Sequence, residues 1–361
     1  MPQLSIMIKP ASSLCNMRCK YCFYHSLASE REEFSFGKMT PSTTENLVEK
    51  ALRFANGESV YFAFQGGEPL LAGKDYFANF VALVNKYNAK KSEIFFSLQT
   101  NGTLVDDEWT KFFLDNDFLI GLSLDGNQDA NRFRLDGEFA PAFNKTFAAA
   151  KSLQKSGVKT NILIVATGWT ADHIEEVYRF LRDEGFGYLQ FIPCLRPFGD
   201  TTEGQLYMTV EQYRSFLVRL CNLYVKDFVR GKYVSVRYMD NLVRLFLGQK
   251  AEQCGLEGHC THQFVVEGNG NVYPCDFYCL DKWLLGNVNE SDFALLAHTP
   301  LAIEFIRESF DIPDKCKTCK YLALCRAGGC KRSRADRDYC EAYKGFFSAC
   351  LPLLNVFKKL D

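Results

Sequence analysis

Over roughly the first 190 residues, short apolar runs alternate with longer stretches of helical period, so strands and helices take turns along the chain. Leu4–Ile8 predicts a first strand, and the sequence Pro41-Ser42-Thr43-Thr44 opens a helix running to about Phe54. Val60–Phe64 predicts a second strand, residues 94–98 a third, 118–124 a fourth, 159–166 a fifth and 188–192 a sixth. Helices are expected around 76–88, 106–116, 142–156 and 171–184. Six βα units are too few to close an eight-stranded barrel, so a partial barrel or open parallel sheet fits. In such sheets the chemistry sits just beyond the carboxyl ends of the strands.

The pattern then changes. Residues 207–250 read as mostly helical. After Cys254 long elements become scarce, and one hairpin is signalled where Val265-Val266-Glu267 meets Val272-Tyr273 across Gly268-Asn269-Gly270-Asn271. An amphipathic helix is expected over about 343–359. The boundaries implied are 1–200 for the βα region, 201–250 for a helical bridge, 251–345 for a cysteine-rich domain and 346–361 for a terminal helix.

Composition excludes some classes of function. With 42 basic and 43 acidic residues the net charge is −1, so bulk charge draws the chain to neither nucleic acid nor an anionic membrane. No basic segment followed by a long apolar core opens the sequence, and no apolar run is long enough to span a bilayer; a cytoplasmic location is expected. Against that background fifteen cysteines are unusual. Cytoplasmic thiols stay reduced, so such a number argues for metal or cluster ligation rather than disulfides. They are also clustered, with three in residues 15–22 and ten between 254 and 350.

Cys15-x3-Cys19-x2-Cys22 offers three thiolates in one loop. A cubane has four irons, so three ligands leave one iron open to a small molecule. A zinc site with a distant fourth ligand is the alternative. The run Cys15-Asn16-Met17-Arg18-Cys19-Lys20-Tyr21-Cys22-Phe23 resembles the signature of the radical S-adenosylmethionine (SAM) superfamily, and Gly66-Gly67-Glu68-Pro69 resembles its GGE motif. The resemblance implies a partial (β/α)6 radical SAM barrel whose open iron chelates SAM. Tyr21 then lies near the adenine, Gly66 and Gly67 let the backbone approach closely, the Glu68 carboxylate accepts from the methionine ammonium, and Ser123 is a candidate for the SAM carboxylate or ribose. Leu195 is an adenine-contact candidate, with core packing as its alternative.

The later cysteines resemble the SPASM extension, which carries two auxiliary [4Fe–4S] clusters. That resemblance sorts them into Cys254, Cys260, Cys275 and Cys330, and into Cys316, Cys319, Cys325 and Cys340. Arg326-Ala327-Gly328-Gly329-Cys330 is one residue longer than the family pattern. Cys194, Cys221, Cys279 and Cys350 are left without a role, and buried free thiols are expected there. Zinc ribbons are the alternative for the paired cysteines.

Among SPASM proteins the chain resembles the anaerobic sulfatase-maturating enzymes, through Ile8-Lys9-Pro10-Ala11-Ser12-Ser13, Phe23-Tyr24-His25-Ser26-Leu27, Phe62–Pro69, Ser97–Thr103, Gln263–Glu267 and Val272–Tyr278. Members oxidise one Cys or Ser side chain of a sulfatase to Cα-formylglycine. The resemblance implies three [4Fe–4S] clusters with SAM as cosubstrate, and Asp276 as the base that takes the substrate's proton. It implies a sulfatase polypeptide, unfolded or nascent, as substrate, an electron donor such as flavodoxin or ferredoxin, and neither nucleic acid nor membrane as partner. Tyr24, Gln65, Gln99 and Arg237 are substrate-contact candidates. One departure stands on the expected active rim: after Asp125-Gly126 the family has proline and then histidine, where this chain reads Asn127-Gln128-Asp129-Ala130-Asn131-Arg132. Two other readings remain at this point, a SPASM peptide maturase forming a thioether or other cross-link, and a zinc-stabilised binding protein.

Overall fold

A computed structural model describes residues 4–202 and 204–359. Its strands, in chain order, are β1 (Leu4–Ile8), β2 (Val60–Phe64), β3 (Ile94–Thr100), β4 (Phe118–Ser123), β5 (Thr160–Ala166), β6 (Tyr188–Pro193), β7 (Ser235–Val236), β8 (Phe264–Val266), β9 (Asn271–Tyr273) and β10 (Gly286–Asn287). The helices that matter below are α1 (Phe23–Ser29), α2 (Pro41–Ala55), α3 (Lys74–Tyr87), α4 (Asp107–Asp115), α5 (Phe143–Ser156), α6 (Gly168–Asp172), α7 (Ile174–Asp183), α8 (Val210–Val229) and α9 (Arg237–Phe246). The chain forms two compact units, one built from Met1–Ser123, Arg134–Thr160 and Thr261–Ile306, the other from Leu124–Phe133, Asn161–Cys260 and Arg307–Asp361.

In the first unit the strands run β10-β9-β8-β1-β2-β3-β4. β1 to β4 are parallel, with Ile8 opposite Phe64 and Phe64 opposite Leu98. Period-2 burial explains why these segments are strands: Ile6, Ile8, Phe62 and Phe64 all point into the core. Phe64 packs between Phe77 at 5.0 Å and Phe80 at 4.9 Å, both on α3. α2 starts where Thr40 caps it, its hydroxyl accepting the Thr43 N–H at 3.2 Å, with Pro41 at the first helical position.

The expected hairpin is present, with Val266 opposite Val272 and Gly270 at φ +90° in its turn. Its position was not foreseen. β8 pairs in parallel with β1, Ile8 opposite Val266, so the hairpin extends the sheet of the N-terminal region.

In the second unit β5, β6 and β7 lie side by side in parallel. The expected helix over 171–184 is two helices, α6 and α7, meeting at His173, whose φ and ψ of −115° and 23° are not helical. The terminal helix also differs. It runs Cys340–Cys350 and stops short of Pro352, which has no N–H to continue the ladder, and a 3-10 turn covers Leu353–Lys359. Among the described residues, no helix is long and apolar enough to cross a membrane.

Candidate active site

The cysteine loop follows β1 and ends where Cys22 caps α1. The Cys22 sulfur accepts the His25 N–H at 3.4 Å, and the Cys15 sulfur accepts that of Met17 at 3.4 Å. Asn16 ties the loop to the turn after β3, donating to Thr103 Oγ1 and accepting from Asn101 Nδ2, each at 2.9 Å. Burial pushes the Cys15 thiol up to about 12, so a cluster held there would have to displace its proton.

The Gly-Gly-Glu segment interlocks with this loop. Gly67 N–H donates to Ser12 O at 2.9 Å and Glu68 N–H to Leu14 O at 2.7 Å. The glycines therefore permit a close approach of two protein backbones. Gly66 has φ +126°, and a Cβ on Gly67 would lie 2.1 Å from the Leu14 carbonyl oxygen. Glu68 is fully buried and accepts from Leu70 N–H at 3.0 Å, Thr100 Oγ1 at 2.9 Å and Asn101 N–H at 2.9 Å. Burial outweighs those three donors and raises its carboxyl to about 7. Tyr21 accepts from Arg134 Nη1 at 3.3 Å, and Ser123 Oγ accepts from Gln99 Nε2 at 2.7 Å.

Asp276 follows Cys275 at the start of a 3-10 turn over Asp276–Tyr278. It is 6% exposed, and both of its oxygens have donors: Lys9 Nζ reaches Oδ1 at 2.5 Å and Gln65 Nε2 reaches Oδ2 at 3.0 Å. The Lys9 ammonium also sits 3.4 Å from the centre of the Tyr24 ring. Tyr24, expected beside the substrate, is buried, and its hydroxyl donates to Glu267. Glu267 in turn pairs with Arg31 at 2.8 Å and accepts from Ser12 Oγ at 2.9 Å. Lys9, Glu267, Arg31, Thr100, Asn101 and Arg134 were not singled out from the sequence. Lys9 and Glu267 carried one signal: each is a charge placed directly after an apolar strand.

In the second unit, Arg237 is exposed at the start of α9, with Nη1 3.4 Å from Gln190 Oε1. Leu195 lines a cavity of about 840 Å³ together with Tyr213, Cys316, Cys325, Cys340 and Tyr343. The departure after Gly126 proves locally self-consistent. Asn131 accepts the Asp125 N–H at 3.1 Å and donates to the Gly126 and Asn127 carbonyls at 2.8 Å, while Asp125 accepts the Val165 N–H.

Cys316, Cys319, Cys325 and Cys340 line one small cleft, and Cys254, Cys260 and Cys330 line another. The longer stretch before Cys330 is taken up by four consecutive positive φ angles, from Arg326 at 52° to Gly329 at 83°. Gly328 N–H donates to the Cys325 sulfur at 3.3 Å, and the Cys260 N–H donates to Ser309 Oγ. Cys275 belongs to the other unit. Among the described residues no three His, Cys, Asp or Glu side chains converge at the spacing of a single metal ion. All fifteen cysteines are free thiols, and only Cys194, Cys221, Cys279 and Cys350 are buried. The other eleven are the ones the sequence grouped as ligands. Their placement on loops, short turns and helix ends, with N–H groups directed at several sulfurs, fits cluster ligation.

The radical SAM superfamily model matches residues 10–181, and a SPASM iron–sulfur cluster-binding domain model matches 258–320. A cysteine-type anaerobic sulfatase-maturating enzyme of Clostridium perfringens (strain 13 / Type A) is 44% identical over 99% of both chains. A serine-type enzyme of Bacteroides thetaiotaomicron is 28% identical over 99% of this chain and 91% of its own. The solved structure of native anSMEcpe with bound AdoMet and Cp18Cys peptide superposes with a TM-score of 0.94 at 42% identity, covering 100% of each chain. With that identity carried over its whole length, the chain belongs to the anaerobic sulfatase-maturating enzymes of the radical SAM superfamily.

Proposed function

We propose that the chain oxidises a cysteine side chain of a sulfatase polypeptide to Cα-formylglycine. The observation that carries this reading is Asp276, a buried carboxylate directly after a candidate cluster ligand and oriented by the ends of β1 and β2. The relatives at 41–44% identity are cysteine-type, and the serine-type relatives stand at 28%, which favours cysteine as the target.

Cys15, Cys19 and Cys22 would hold the SAM-binding [4Fe–4S] cluster, and the two auxiliary sets would hold the others. When bound, these groups supply a 5′-deoxyadenosyl radical that takes a hydrogen atom and an acceptor for the remaining electron. The chain's own residues bind, orient and move a proton. Glu68 spends its oxygens on three protein donors and keeps lone-pair capacity for the SAM ammonium. Tyr21 would lie near the adenine and Ser123 would meet the SAM carboxylate or ribose. Asp276 takes the thiol proton as the carbon–sulfur double bond forms, and water then replaces sulfur to leave the aldehyde. A donor of the flavodoxin or ferredoxin class would supply the initiating electron in a reducing cytoplasm.

The test is anaerobic reconstitution with iron and sulfide, followed by SAM, reductant and sulfatase-motif peptides bearing Cys or Ser. Mass spectrometry should show the thiol-to-aldehyde change in the Cys peptide. Unchanged peptides beside free 5′-deoxyadenosine would overturn the proposal.

A further inference from the structure

We propose that Lys9 is the residue that positions Asp276 for proton transfer. This rests on the reading of Asp276 as the base. Asp276 sits on a three-residue turn and cannot orient itself; its carboxylate needs restraint from a stiffer element. Lys9 and Gln65 supply it from the ends of the paired strands β1 and β2. One donor binds each oxygen, which stops rotation of the carboxylate. An ionised carboxylate has about four acceptor sites, so two remain for the substrate's proton.

Lys9 is itself fixed. It has no exposed surface, and its backbone N–H donates to Val266 O at 2.8 Å. Its ammonium is capped by the Tyr24 ring, which Glu267 holds, and Glu267 is held by Arg31 and Ser12. Burying a lysine this completely is a poor way to gain stability, because desolvation offsets most of the Coulomb attraction. Lys9 meets Asp276 at the group the chemistry needs, which is where such an arrangement has a use. The step balances: the thiol proton goes to Asp276, the sulfur's bonding electrons form the new C=S bond, and the hydrogen atom and remaining electron leave as stated above.

The experiment uses the full reconstituted chain with a Cys peptide deuterated at Cβ. Lys9→Met is compared with Lys9→Arg and Asp276→Asn. Iron content, equilibrium SAM binding, deuterium transfer into 5′-deoxyadenosine and formylglycine are all measured. Lys9→Met should keep iron, SAM affinity and deuterium transfer near wild type. Formylglycine formed per deoxyadenosine should fall about tenfold or more, part of the roughly 10²–10⁴-fold that a positioned acid or base contributes. Lys9→Arg should recover part of it, with the peptide KM unchanged. Should Lys9→Met prove insoluble, Lys9→Gln carries the same measurements. Wild-type coupling in the lysine variants, or iron and SAM binding lost in step with product, would overturn the proposal. Wild-type coupling in Asp276→Asn would instead overturn the assignment of the base.

Discussion

Gly67 and the Leu14 carbonyl are so close that a methyl group cannot stand between them: a Cβ on Gly67 would lie 2.1 Å from that oxygen. Leu14 immediately precedes Cys15, so any movement that relieves the clash displaces the cysteine loop. Gly67→Ala should cost about 1–3 kcal/mol or more as overpacking and lower the iron bound at the N-terminal site. Gly73→Ala is the control, since its Cβ meets nothing within 4 Å although φ is +94°. It should cost some stability through backbone strain and leave iron content unchanged. Equal iron loss in both variants would contradict the interlock.

The burial of the cysteines makes a second prediction by arithmetic. Three cubanes hold about twelve irons. Cys221→Ser or Cys279→Ser, at buried positions outside every proposed ligand set, should leave iron near that number. Cys316→Ala should remove about four irons and leave the SAM-dependent signal of the first cluster intact. Iron assay with electron paramagnetic resonance decides it, and equal loss in all three variants would undo the sorting.

Much of this was legible in the sequence, and what was not has physical causes. Strands β1 and β2 and the 265–273 hairpin follow from local periodicity and turn chemistry. The parallel pairing of β8 with β1 joins segments about 260 residues apart, and no local signal encodes it. That pairing brings Lys9 beside Asp276, and Glu267 beside Tyr24 and Arg31, so the charged network was invisible for the same reason. Tyr24 was a substrate-contact candidate because the resemblance maps it, with Gln65 and Gln99, near the expected SAM–substrate pocket, and its polar partner could not be read from the sequence. Its hydroxyl is already taken by Glu267, a partner 243 residues away.

Arg31 and Glu267 are both fully buried at the side chain and pair at 2.8 Å. Removing one partner leaves the other charge without its counter-ion in low dielectric. Arg31→Met should destabilise the chain by about 3–5 kcal/mol. The double variant Arg31→Met with Glu267→Gln should recover part of that loss, because the orphaned charge is gone. Chemical unfolding of the four members of the cycle measures the coupling, and strict additivity would show that the pair is not energetically linked.

The proposed role of Glu68 at the SAM ammonium would tie SAM binding to pH. Its ordinary value is 4.5, and burial raises it to about 7 in the folded chain. Between these values the folded state holds the proton more tightly than the unfolded state. The SAM-free protein is therefore relatively stabilised at acid pH by this group and loses that contribution as pH rises from about 4.5 to 7. The shift corresponds to about 3 kcal/mol. A Glu68→Gln variant should show a flatter stability profile across that window. Ligand binding at the proposed site would run the other way, since only an ionised carboxylate would attract the SAM ammonium. SAM affinity should fall up to about tenfold per pH unit below 7 in wild type, the slope of one linked proton, and should be weak and nearly flat in Glu68→Gln. Equilibrium SAM binding beside denaturant unfolding over pH 5 to 8 reads both arms. Parallel profiles in the two proteins would show that Glu68 is not the titrating group.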